Sequence, residues 1–157
     1  MAFFAHAADP PVDPARDIER LYRSGDAALA TQRLDQALAA QPGSPRLRFL
    51  KGVMLSETRR EAEAMDVFER LTQDHPDLPE PYNNLAVLHA ARGQLDRARE
   101  LLELALRHDP AYFAAQENLG DVFARLAQRA YEKANANPQA EPSLQRKLRM
   151  ARDLAGR

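Results

Sequence analysis

Apolar residues recur along this chain at the three- and four-residue spacing that is typical of amphipathic helices. The first such stretch begins near Pro14 and ends at Gly25, and the second covers 27–40. Glycine and proline then separate further stretches of similar length. The pattern therefore predicts short helices that are joined in pairs by tight turns, with the next four over 46–57, 61–73, 80–91 and 94–107.

Residue types also recur at a fixed interval of 34 positions. A fixed period that alternates small and large residues is typical of stacked units that cannot bury their own apolar faces alone, so we predict a repeat protein. The columns that carry the period are prolines (Pro42, Pro76, Pro110), alanines (Ala30, Ala64, Ala98), large side chains (Leu34, Phe68, Leu102; Leu21, Leu55, His89, Phe123) and small residues (Gly52, Ala86, Gly120).

Composition narrows the class of protein. The 22 lysines and arginines are balanced by 23 acidic residues. The chain therefore lacks the excess of positive charge that is typical of nucleic-acid-binding proteins, and we predict no nucleic-acid partner. No apolar run approaches the roughly 20 residues that a membrane span needs. The chain has no cysteine, which excludes disulfides, thiolate catalysis and cysteine-based zinc sites.

The first ten residues form a separate segment. Ala5 and Ala7 match the small-x-small pattern that precedes a signal-peptidase cut, although the charged leader and the full apolar stretch are missing. Residues 1–10 are therefore predicted to be the remnant of a signal peptide or, alternatively, a disordered N-terminus. The first interpretation predicts a periplasmic or otherwise exported protein, and the second leaves a cytoplasmic location open.

The third unit carries the most specific motif, which consists of Tyr82-Asn83-Asn84-Leu85-Ala86, then Gly93, Leu95, Ala98, Leu102, Ala105 and Pro110. This pattern resembles the tetratricopeptide repeat. The resemblance implies an all-α fold, namely an α-solenoid of helix-turn-helix repeats. The second unit departs from the pattern at Arg59, where the third has Gly93, so we expect another residue to take the strained conformation in that turn. The first unit departs at Ile18, which stands in the small-residue column.

The repeat register also predicts the organisation of the chain. Within a repeat domain over 11–135, the three full units are 11–44, 45–78 and 79–112. The fourth unit has Ala127 at the turn position and no helix breaker between 126 and 134, which predicts one long helix over 113–135. A linker is predicted over 136–143, and 144–157 is predicted to be a helix that caps the apolar end of the last repeat.

The chain lacks a recognisable catalytic or cofactor motif. The histidines do not have metal-ligand spacing, and no glycine-rich phosphate loop or nucleophile motif is present. His75 and His108 lie beside aspartates at helix ends, where a cation suits the helix dipole. We therefore predict a non-enzymatic protein without cofactor or metal, and an enzyme stays a remote alternative.

The resemblance further implies a concave groove, lined by the first helices of successive units, that binds peptides. Asn84 and Asn118 stand one repeat apart, where paired amides can hold a ligand backbone, or where asparagine is simply common in the repeat. The clamp with which some family members grip a C-terminal carboxylate is not reproduced, because Glu19 and Asp121 occupy positions that require neutral or basic groups. The groove candidates are Tyr22, Arg23, Arg46, Phe49, Val53, Asn83, Asn84, Val87, Asn118, Asp121 and Arg125.

The predicted function is that of an adaptor or scaffold that binds a peptide or protein partner in this groove. If the export signal is genuine, we expect a bacterial envelope assembly, which also fits the composition rich in alanine, arginine and leucine. The alternative is a structural homo-oligomer whose repeats mediate self-association.

Overall fold

Eight α-helices make up the part of the chain that the computed structural model describes, residues 13–137 and 142–156. Within those residues no strand is present, which confirms the all-α prediction. The predicted N-terminal segment 1–10 and residues 138–141 of the predicted linker lie outside the described residues. The helices are α1 (Pro14–Arg23), α2 (Ala27–Ala40), α3 (Pro45–Glu57), α4 (Glu61–Asp74), α5 (Pro79–Ala91), α6 (Leu95–His108), α7 (Phe113–Asn135) and α8 (Pro142–Ala155).

Prolines mark both ends of the helix pairs. Each of α1, α3 and α5 has a proline in its first turn, where the missing N–H would have no helical partner. Asp13 and Ser44 cap α1 and α3 by accepting hydrogen bonds from backbone N–H groups. At the other end, α2, α4 and α6 each stop two residues before a proline of the repeating column. The helix boundaries therefore follow from local chemistry that the sequence displays.

The two helices of each full unit are joined by a turn with one left-handed residue. Gly25 (φ 93°) and Gly93 (φ 74°) adopt this conformation, and so does Arg59 (φ 61°). The expectation that another residue would replace Arg59 in the second turn is wrong. In all three turns the following N–H donates to the carbonyl five residues back, which ties the helix end whatever residue takes the positive φ.

Packing within each unit depends on close helix approach. Ala30, Ala64 and Ala98 are fully buried. Gly52 on α3 faces the buried ring of Phe68 on α4, and a Cβ at Gly52 would lie 2.5 Å from Phe68 Cε1. Each helix packs on the next along the chain, and α1 with α3 and α5 with α7 add contacts between the first helices of units. This is the arrangement of a solenoid.

The fourth unit has no hairpin. A single helix, α7, continues through Ala127, the position at which the earlier units turn. α8 packs along α7 with Leu148 and Ala151 buried, and it begins at Pro142, two residues earlier than predicted. The early start is physically reasonable because proline is well tolerated in the first turn of a helix. The role of α8 as a cap stays a prediction.

Candidate functional site

A cavity of about 570 Å³ opens between α1, α3 and the beginning of α5. Its volume falls within the roughly 300–1,000 Å³ that is common for ligand pockets. We call it the groove cavity, and it is lined by Ala15, Glu19, Tyr22 and Arg23 of α1, by Pro45, Arg46, Phe49, Leu50, Val53 and Glu57 of α3, and by Leu78, Glu80 and Pro81 at the entry to α5.

The predicted groove residues of the first two units come together in this cavity. Tyr22 and Arg23 line one side of it, and Arg46, Phe49 and Val53 line the other. They belong to different repeats, and the stacking of α1 on α3 brings them to one place.

The floor of the groove cavity is apolar and firmly supported. Phe49 packs against Phe68 with the ring centroids 5.6 Å apart, and Phe68 is itself fully buried. Val53 lies one helical turn further along α3, half-buried against the same core. Because the side chains beneath them are close-packed, Phe49 and Val53 are held in position before any ligand arrives.

Tyr22 and Glu57 face each other across the groove cavity. Burial raises the pKa of Tyr22 above its ordinary value, and the hydrogen bond with Glu57 and the negative charge of that carboxylate raise it further. The pair links α1 to the last residue of α3.

Most of the charged groups around the groove cavity are already paired. Arg23 lies 2.6 Å from Glu19, and Arg46 forms an ion pair with Asp13. Glu57 and Glu80 differ, since within the described part of the chain neither has a lysine, arginine or histidine nitrogen within 4.0 Å. The groove cavity therefore has an excess of negative charge.

The asparagines of the third and fourth units take part in hydrogen bonds within the protein. Asn83 is buried, with 6% of its surface exposed, and its Oδ1 accepts a hydrogen bond of 2.8 Å from Asn118 Nδ2. Asn84 Nδ2 donates to the Glu80 carbonyl oxygen of its own helix, at 2.9 Å. A buried amide needs a partner, and Asn118 supplies it. The bond between Asn83 and Asn118 ties α5 to α7, and the role of Asn83, Asn84 and Asn118 as ligand contacts stays a prediction.

The remaining predicted residues lie further along the solenoid. Val87 on α5 is 46% exposed, and Asp121 and Arg125 are on α7. None of the three is among the residues that line the groove cavity. They stay predictions for an extension of the groove.

Sequence reasoning did not select Glu57 and Glu80 as groove residues. The repeat interval contained the signal, because Glu57 follows Arg23, and Glu80 follows Arg46, by 34 positions. In both columns the groove residue changes from arginine to glutamate between successive units.

The described residues contain neither a metal cluster nor a membrane-spanning helix. Over 13–137 and 142–156, no three histidine, aspartate or glutamate side chains cluster so that they could hold a metal ion. In the same residues, no helix combines the length and apolar character that crossing a bilayer requires.

Solved structures with the same fold include several tetratricopeptide proteins. The first such domain of Spaghetti (RPAP3), bound to the HSP90 peptide SRMEEVD, is 18% identical, with a TM-score of 0.65 over 73% of this chain and 90% of that one. TTC0263, a thermophilic tetratricopeptide protein of Thermus thermophilus, is 21% identical, with a TM-score of 0.67 over 92% and 82%. PilF of Pseudomonas aeruginosa is 19% identical, with a TM-score of 0.63 over 91% and 73%.

Sequence comparison reaches the same family independently. No curated protein matches the chain in sequence. Two family models described as tetratricopeptide repeat match residues 18–79 and 59–120, which together cover the whole region from α1 into α7. The chain therefore belongs to the tetratricopeptide repeat family, whose domains are protein–protein interaction modules.

Proposed function

We propose that this protein is a non-enzymatic adaptor that binds a peptide segment of a partner protein in the groove cavity. The observation that carries the proposal is the apolar floor of Phe49 and Val53, which faces open space although the core beneath it is closely packed. An apolar concave surface with a few polar groups around it is the usual form of a binding site.

A solved structure of the same fold supports this proposal. The first tetratricopeptide domain of Spaghetti (RPAP3) was solved with a bound HSP90 peptide. At 18% identity the likeness extends to the fold, so the ligand of this chain has to be inferred from its own groove cavity.

A matched pair of valine substitutions tests the proposal. Val53 and Val67 are both half-buried and both pack on the same core, but only Val53 lines the groove cavity. Random peptides displayed on phage are selected on the wild-type protein, and the enriched peptides are synthesised with a fluorescent label. We expect Val53→Ser to weaken their binding in fluorescence polarisation by about tenfold or more, and Val67→Ser to leave it unchanged.

Circular dichroism and thermal unfolding of the two variants show whether both remain folded. If both bind the selected peptides as the wild type does, the groove cavity is not the binding site. If light scattering instead shows a concentration-dependent dimer that Val53→Ser abolishes, the occupant of the groove is a second copy of the chain, and self-association becomes the function.

We also propose that the protein is exported and acts in a bacterial envelope assembly. The support is the small-x-small pattern at Ala5 and Ala7, which lies outside the described residues. N-terminal sequencing of the protein recovered from its native cell should show a mature chain that begins at Ala8. A chain that still begins at Met1 contradicts the proposal.

A further inference from the structure

The charge balance of the groove cavity suggests which peptides it selects. Both arginines that line it, Arg23 and Arg46, have acidic partners within the protein. Arg23 pairs with Glu19, which also lines the groove cavity, so this pair leaves no net charge. A ligand that carries acidic groups would have to compete with those partners for each arginine.

Glu57 offers a site for a ligand cation in the lining of the groove cavity. It is the last residue of α3, where unpaired carbonyl groups add partial negative charge, and the last turn of α3 contains no basic residue. A carboxylate at this end of a helix opposes the dipole unless a cation lies beside it. Because no described cation is within ion-pair distance, the groove cavity has an electrostatic place for one.

Glu80 adds a second negative charge to the lining of the groove cavity. It lies in the first turn of α5, where the helix dipole already favours a carboxylate. The negative charge of Glu80 also acts on Tyr112, whose pKa is raised by burial first, then by Glu80 and by Asp109. Glu80 is therefore expected to contribute less to ligand binding than Glu57.

Apolar side chains line the same cavity as these two carboxylates. Phe49 and Val53, both half-buried, form its floor. A side chain of leucine or phenylalanine size can cover this surface while a neighbouring long basic side chain reaches a wall, since lysine and arginine stems pack on apolar groups with the charge at the tip.

We propose that the peptide bound in the groove cavity carries a lysine or arginine next to a large apolar residue. The apolar side chain packs on Phe49 and Val53, and the cation pairs with Glu57. This inference rests on the proposed function, because it names the ligand chemistry of the same site.

The phage selection described above distinguishes the two proposals when it is repeated on Val53→Ser. We expect the wild type, but not Val53→Ser, to enrich peptides in which a basic residue adjoins an apolar one. If the peptides that depend on Val53 are acidic or neutral, the basic ligand is excluded while groove binding stands. If no peptide depends on Val53, groove binding itself fails, and this inference fails with it.

A second measurement tests the role of Glu57 directly. The best basic peptide, acetylated and amidated at its ends, is titrated against Glu57→Gln, Glu80→Gln and the control Glu69→Gln, which removes a charge from α4 outside the groove cavity. We expect Glu57→Gln to weaken binding by about fivefold, Glu80→Gln by less, and Glu69→Gln not at all.

Salt dependence and neutralisation of the peptide charge complete the test. Binding of the basic peptide should weaken as the salt concentration rises, and this dependence should be smaller in Glu57→Gln. Replacing the basic residue of the peptide with glutamine should produce the same loss as Glu57→Gln, and the two changes together should add little more. Unchanged affinity in Glu57→Gln would overturn the assignment of Glu57.

Discussion

The middle of the solenoid and its C-terminal end share one repeat register but bury very different surfaces. Among the described residues, α3 to α6 each bury at least four side chains or glycines, whereas α7 buries only Ala115 and Val122, and α8 only Leu148 and Ala151. Polar contacts such as the Arg129–Asp96 and Arg152–Glu132 ion pairs lie around α7. A residue of the right type at the right interval is therefore buried only when helices cover it on both sides.

The largest contrast is expected in the column that contains Leu55 and Phe123. Leu55 is 6% exposed, so Leu55→Ala should lower the free energy of unfolding by about 2–5 kcal/mol. Phe123 is 49% exposed in the corresponding place on α7, and Phe123→Ala should cost at most about 1 kcal/mol. Urea denaturation of both variants provides the measurement, and equal losses would mean that the middle and the C-terminal end are packed alike.

The small-residue column should give effects of opposite sign. At Gly52 a new Cβ would clash with Phe68, so we expect Gly52→Ala to destabilise the protein by about 1–3 kcal/mol. At Gly120, in the interior of α7, no atom of the described residues outside the helix lies within 4 Å of the new Cβ. Gly120→Ala should therefore stabilise by about 0.5–1 kcal/mol, because alanine favours a helix. A loss of stability in Gly120→Ala would show that α7 has a neighbour at this position.

The repeat position that forms the turn between the two helices of a unit is left-handed at Arg59 but helical at Ala127. Arg59 has a positive φ that glycine adopts without strain, so Arg59→Gly should stabilise by up to about 1 kcal/mol. Ala127 occupies the same column inside α7, and Ala127→Gly should destabilise by about 1 kcal/mol, since glycine disfavours a helix interior. Thermal unfolding of the two variants should therefore shift in opposite directions, and a shared direction would contradict the assignment of these conformations.

The smallest effect concerns the polar contact that Glu132 of α7 makes with Gln128 of the same helix and with Arg152 of α8. Hydrogen bonds from Gln128, first, and from Arg152 lower the pKa of Glu132. A lowered folded pKa means that the stabilisation is complete above the ordinary glutamate value and is lost as the pH falls through the lowered one. Unfolding measured across that acidic range should show less pH dependence in Glu132→Gln than in the wild type. An identical pH profile would indicate that the contact does not stabilise the folded chain.

The groove was only partly predictable from the sequence. Phe49 and Val53 follow from the register, because positions on the first helix of each unit face the same side. The hydrogen bond between Asn83 and Asn118 does not follow from the register. The two residues are 35 positions apart, which is one more than the repeat interval, so they belong to different columns. Glu57 was not predicted as a groove residue either, although it stands one repeat interval after the predicted groove residue Arg23.

The sequence by itself determined the period, the ends of the helices and the loss of the last hairpin, because prolines, glycines and capping side chains act on their own few neighbours. The tertiary structure decided which asparagine is buried and that Arg59 accepts a left-handed turn. It also decided that Glu57 and Glu80 have no cation within ion-pair distance among the described residues. The physical reason is that burial and charge pairing depend on groups from different repeats, and these groups meet only after the helices stack.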